Sequence, residues 1–213
     1  MNLLRNSTLA ALLALAATAA ANAQVTYNIS LDTSSLLSSS SAPFSLDFQF
    51  SDGSGVGSGL NWATLSNFQF GGGSAVGTPT LWGDATGDLG STVTLGTSDA
   101  MLNEFYQEFA PGTFLSFNLT LTTNTPWSGA TDLFSFSILD GSLASLLTDS
   151  PNGALVEVSL SDLGAATATF GSSDNGLSAP SITAIPEPAT YGLFLGAGLL
   201  VAVVVRRVTT KRA

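Results

Sequence analysis

The chain has no histidine and no cysteine, and only five basic residues among its 213. Those five are Arg5, Arg206, Arg207, Lys211 and Arg212, so the whole stretch between residues 6 and 205 lacks a cationic side chain. Each absence excludes a class of chemistry. Without cysteine there are no disulfides, thiolate nucleophiles or thiolate metal ligands. Without histidine there is no imidazole base near neutral pH, and without lysine or arginine the central stretch has no phosphate clamp and no salt bridge. Nucleic acid is excluded as a partner, because its binding needs cationic contacts. All 15 acidic residues lie between Asp32 and Glu187, which makes the middle of the chain acidic throughout.

Carboxylates, with tyrosine, are then the only acid and base groups left, so a paired-carboxylate hydrolase is the one common enzyme class still open. Glu104 and Glu108 are the nearest candidates for such a pair, sharing one face of a short helix if one forms there. Two glutamates in that arrangement usually make a solvated rim, and the expectation is a protein that is not an enzyme.

What is present is period-two alternation. Val25, Tyr27, Ile29 and Leu31 begin it; Phe44, Leu46, Phe48 and Phe50 repeat it, followed by Phe68 and Phe70, then Val93 and Leu95. Leu115 to Leu121, Phe134 to Ile138, Val156 to Leu160 and a weaker run near Ala168 and Phe170 continue it. Apolar residues every second position with Ser, Thr, Asn and Asp between them mean half-buried strands. About eight such strands, separated by turns such as Asp52-Gly53 and Asp140-Gly141, predict an all-β fold, an antiparallel β-sandwich of jelly-roll-like form. One stretch departs from this. Leu102, Phe105, Tyr106 and Phe109 are spaced i, i+3, i+4, i+7 between Asp99 and Pro111-Gly112, which predicts one short amphipathic helix, with a ninth strand as the competing reading.

The ends are of different kinds. Arg5, the apolar run Leu9 to Ala21 and the small residues Ala21 and Ala23 form a secretory signal peptide over residues 1–23, cleaved before Gln24. The exported β-sandwich domain is expected over 24–170, and the non-periodic stretch 171–184 is expected to be a tether. From 185 the chain reads Ile185-Pro186-Glu187-Pro188, then an apolar run over 189–205, then the basic end 206–213. That 17-residue run, as a helix of about 1.5 Å per residue, is just long enough to cross a bilayer core. Arg206 and Arg207 stop the transmembrane segment and keep the C-terminus cytoplasmic, with everything before Pro186 facing outward. Pro186 and Pro188 keep the tetrapeptide extended.

The order of these three parts resembles the C-terminal sorting tail of PEP-CTERM proteins, which exopolysaccharide-producing Gram-negative bacteria export. The resemblance covers about 30 residues and rests on Pro186, Glu187, Pro188, the apolar run and the basic end. It implies an exosortase as processing partner, a transient stay in the inner membrane, and a final place at the cell surface or in the extracellular polysaccharide matrix. In that reading Pro186, Glu187 and Pro188 are substrate for the exosortase.

No cofactor is expected. If an ion binds, Asp84 and Asp88 in the loop Gly83–Asp88, or the surroundings of Asp140 and Asp149, offer the hard oxygen ligands that suit Ca2+. Trp62, Trp82 and Trp127 are candidates for stacking on sugar rings in the manner of sandwich carbohydrate-binding modules, Trp82 and Trp127 foremost because they flank glycine and proline outside the best-formed strands. Asn28-Ile29-Ser30 and Asn118-Leu119-Thr120 match the N-glycosylation pattern inside expected strands, where coincidence is the better reading.

Overall fold

A computed structural model of the chain describes residues 24–186, apart from 56, 60, 125–130, 147 and 162–163. The signal-peptide residues Ala21 and Ala23, the sorting residues Glu187 and Pro188, the apolar run, Arg206, Arg207 and Trp127 lie outside the described residues. Among the described residues no helix is long and apolar enough to cross a membrane.

The described residues from 24 to 185 form one compact unit built from two antiparallel sheets. The first sheet contains β1 (Gln24–Asp32), β3 (Trp62–Gln69), β6 (Ala85–Gly87), β7 (Val93–Gly96), β9 (Phe114–Thr122) and β13 (Ser181–Ile185), in the spatial order β13-β1-β9-β3-β7-β6. The second contains β2 (Phe44–Ser51), β4 (Ser74–Ala75), β8 (Leu102–Ala110), β10 (Asp132–Leu139), β11 (Val156–Ser161) and β12 (Gly164–Thr169), in the order β12-β11-β10-β2-β8-β4, with β5 (Thr80–Trp82) also paired to β8. The two sheets share a single hydrophobic core, so they pack face to face. Its centre is aromatic. The Phe48 ring on β2 lies 5.3 Å from Phe117 on β9, 5.2 Å from Phe136 on β10, and 6.1 Å from both Phe68 and Phe105. The alternating apolar residues of β1, β2, β7, β9, β10 and β11 all point into this core, as their spacing predicts.

Three parts of the fold differ from the reading of the sequence. The expected short helix is strand β8, paired with β2 from Phe44↔Phe109 to Ser51↔Leu102. Its period-two signal is hidden because two of its inward positions are amides, Asn103 and Gln107, both buried. Asn103 donates to the carbonyls of Phe50 and Ala100 and accepts from the Asp84 N–H at 2.7 Å. Gln107 accepts from the Leu89 N–H at 2.9 Å and donates to the Gly77 carbonyl at 3.0 Å. These amides satisfy the backbone of the connections that cross beside β8, and a helix would leave those groups unpaired.

The second difference is in β3, where Ala63 and Leu65 face inward but so do Phe68 and Phe70, at the opposite parity. A register shift between Ser66 and Gln69, with Asn67 in the left-handed region at φ 56°, is the bulge that reverses the parity. The third is the expected tether over 171–184. It contains a 3-10 turn at Ser173–Asn175 and then most of β13, which pairs with β1 from Thr26↔Ile185 to Ser30↔Ser181 and closes the edge of the first sheet. Too few of its residues are buried to leave a periodic trace, because an edge strand with an exposed outer side needs only Ile182 against the core.

Candidate functional site

The strands of the two sheets differ in charge. Among the described strands of the first sheet the only charged residue is Asp32, at the end of β1. The strands of the second sheet carry Asp47, Glu104, Glu108, Asp132 and Glu157.

On the outer side of the second sheet, β5, β8, β2 and β10 bring Trp82, Glu104, Gln49 and Ser135 into one row across the strands. The neighbouring row places Tyr106, Asp47 and Ser137 side by side. The Gln49 amide nitrogen donates to Asp47 Oδ2 at 2.9 Å and to Glu104 Oε1 at 3.0 Å, so one side chain clasps two carboxyl groups. Asp47 is only 3 % exposed, and its other oxygen, Oδ1, is buried with no hydrogen-bond partner. Burial and the adjacent Glu104 charge push the Asp47 carboxyl up to about 7, against the opposing pull of the Gln49 hydrogen bond. Asp47 therefore holds a proton at mildly acidic pH.

Glu104 and Glu108 share a face of β8 but stand four strand residues apart, about 13 Å at roughly 3.3 Å per residue, too far for a shared site. The carboxyl that does approach Glu104 is Asp47, from the neighbouring strand. Nothing in the sequence pattern separates Asp47 from any other polar residue of an alternating strand; only the register across β2 and β8 does.

Trp82 is 66 % exposed at the end of β5. Directly after it the chain turns through Gly83 and crosses to the first sheet, where Asp84 and Trp62 meet. Gly96, opposite Trp62 in the β3–β7 pairing, is the floor of this place. A Cβ at Gly96 would stand 2.1 Å from Asp84 Oδ2 and 3.0 Å from Trp62 Nε1, so the carboxylate and the indole both lie against its backbone. Trp62 remains 38 % exposed there. An accessible indole beside a carboxylate is a pairing that suits a sugar, one group for the ring face and one for a hydroxyl.

The two aspartates of the expected calcium loop are separated. Asp84 precedes β6 and accepts a long bond from the Ser98 N–H; Asp88 follows β6 and accepts from the Gly90 N–H at 2.8 Å within its own turn. Asp140 likewise serves its own turn, and the Ser142 hydroxyl and the N–H groups of Ala144 and Ser142 hold its carboxyl below the usual range. Asp149 is anchored separately, its N–H donating to the Gly171 carbonyl. Among the described residues no three of His, Cys, Asp and Glu stand together as metal ligands do.

A further polar cluster sits at one end of the sandwich. Asn61, fully buried, donates to Asp132 Oδ2 at 3.0 Å and accepts from Thr122 Oγ1 at 3.1 Å and from the Asn124 N–H at 2.8 Å. Asp52 accepts from the N–H groups of Ser54 and Ser58, and Asp132 from Gly53. These bonds fix the glycine-rich loop after β2, through Gly53, Ser54 and Ser58, and tie Asn61 to the end of β9 and to Asp132 at the start of β10, so the work of the cluster is structural. Asn28 and Asn118, the two glycosylation-like asparagines, face each other across β1 and β9 with a 3.0 Å bond between their amides.

No protein family, curated protein or solved structure matches the chain.

Proposed function

We propose that this protein is exported, that its tail is a PEP-CTERM sorting signal handled by an exosortase, and that its sandwich, of jelly-roll-like kind, acts without catalysis at the cell surface or in the extracellular polysaccharide matrix. The observation that carries this reading is the order Pro186-Glu187-Pro188, apolar run, basic end, in a chain with a signal peptide at its other terminus and no basic residue between the two. The described part of the motif fits: Pro186 follows edge strand β13 at once and is exposed, as the beginning of a segment to be recognised by an enzyme must be.

A non-enzymatic role is supported by the carboxylate pair itself. Asp47 is closed off from solvent and clasped by Gln49, which leaves it out of a substrate's reach. The second reading, a carbohydrate-binding or adhesive module, is favoured by the exposed indoles of Trp82 and Trp62, the latter beside Asp84. Its calcium-dependent form has less support, because Asp84 and Asp88 occupy opposite ends of β6.

Comparing hosts with and without a functional exosortase tests the main reading. We expect the protein at the surface or in the matrix when exosortase is active and trapped in the inner membrane when it is not. An unchanged distribution in the two hosts would leave the tail as a plain anchor.

A further inference from the structure

We infer that the outer face of the first sheet is a docking surface for a neutral polysaccharide. This rests on the matrix reading above and names the surface and the ligand class for it. The register sets five threonines on five adjoining strands into one row: Thr26, Thr120, Thr64, Thr94 and Thr86. A second row reads Thr183, Asn28, Asn118 and Ser66, and a third Ser181, Ser30, Ser116 and Gln69. Neighbours in a row stand about 4.8 Å apart and successive rows two residues, about 6.8 Å, apart. The face is thus a lattice of hydroxyls and amides, each able to donate and accept. Some of these groups already pair laterally, Thr26 with Thr120 and Asn28 with Asn118, both at 3.0 Å, which holds them in fixed positions. At the end of the face lies Trp62, its indole nitrogen close to Gly96 beside the Asp84 carboxylate, with the Trp62 backbone N–H donating to Thr122 Oγ1 at 2.8 Å.

Charge selects the occupant. In a chain whose central stretch holds only acidic charges, the described strands of this sheet carry one of them, Asp32, whereas those of the other sheet carry five. A face without cations, whose carboxylates Asp32 and Asp84 stand only at its margins, offers nothing to a nucleic acid, an anionic polymer or an anionic lipid headgroup. It also lacks the aromatic and aliphatic centre of a protein interface, which is typically poor in serine. The accumulated twist of a six-stranded sheet keeps it from matching a flat crystal lattice, whereas a polymer chain can follow the twist along a row of threonines. A neutral polysaccharide supplies what remains: repeating hydroxyls for the rows and an apolar ring face for Trp62.

The test uses the full chain in detergent, run by affinity electrophoresis through gels containing hydroxyethyl cellulose, dextran or alginate. We expect retardation by at least one of the two neutral polymers and none by alginate. The double variant Thr64→Val with Thr94→Val keeps side-chain shape and strand preference, and should weaken the retardation about tenfold, with an unchanged melting temperature. Trp62→Ala should weaken it as much, and Trp82→Ala, on the other sheet, should leave it unchanged. Three results would overturn the inference: no retardation by either neutral polymer, retardation that Trp82→Ala abolishes while the double variant keeps it, or a self-associated dimer that the double variant dissolves. Correct sorting of a chain that fails this test would leave the matrix reading standing without this surface.

Discussion

Phe48→Ala is expected to be the most damaging single substitution in the sandwich, costing about 3–5 kcal/mol, as deletion of a fully buried phenylalanine does. The Phe48 ring touches rings from both sheets: Phe105, Phe134 and Phe136 beside it, and Phe68 and Phe117 across the core. Its removal opens a cavity lined by five other rings, and the strands that hold them are hydrogen-bonded on both sides and cannot collapse inward to fill it. The chain has no disulfide to offset the loss. For a domain of this size the cost corresponds to a drop of roughly 10 °C or more in melting temperature. Phe114→Ala, at an exposed position on β9, is the control, expected to change stability by about 0.5 kcal/mol or less. Thermal unfolding followed by circular dichroism measures both. Equal, small shifts for the two variants would mean that the sheets do not share one aromatic core.

Asp47→Asn has the second largest expected effect, and its sign is opposite. The folded-state carboxyl titrates at about 7, whereas an ordinary aspartate titrates near 3.8. The native state therefore binds a proton that the unfolded chain gives up, and stability must fall as pH rises from about 4 through 7. Above that window the wild type bears a buried charge beside Glu104. Asparagine is neutral at every pH; its oxygen can still accept from Gln49 and its amide can donate to Glu104. The variant should match the wild type below about pH 4 and exceed it at pH 8, by up to about 4 kcal/mol for a shift of about three units. Urea unfolding at pH 4, 6 and 8 reads the difference. A variant less stable than the wild type at pH 8 would show that the native state holds the Asp47 charge comfortably.

How much of this could be read from residues alone varied with the kind of information each feature requires. Strands such as β2 and β9 were legible because every second residue is apolar and buried on one face. Strand β8 was not, since Asn103 and Gln107 occupy core-facing positions for the sake of backbone groups far away in sequence. The bulge at Asn67 erased the parity of β3, and β13 left no pattern because an edge strand buries little. Trp62 and Asp84 were each singled out as separate candidates, yet their meeting over Gly96 depends on the β3–β7 register and on a chain crossing between sheets. The threonine row is a more distant case. Its members come from β1, β3, β6, β7 and β9, and no one strand holds two of them, so no local window of sequence contains the pattern. The Asp47–Glu104 contact is hidden for the same reason.

The measurement that bears most directly on the central claim is the intact mass of the protein isolated from a host with an active exosortase. The account predicts a mature species that begins at Gln24 and ends near Pro186 to Pro188, having lost both hydrophobic ends, outside the inner membrane. A species in the inner membrane that still carries Arg212 would contradict it, and the two faces of the sandwich would then belong to a permanently anchored protein.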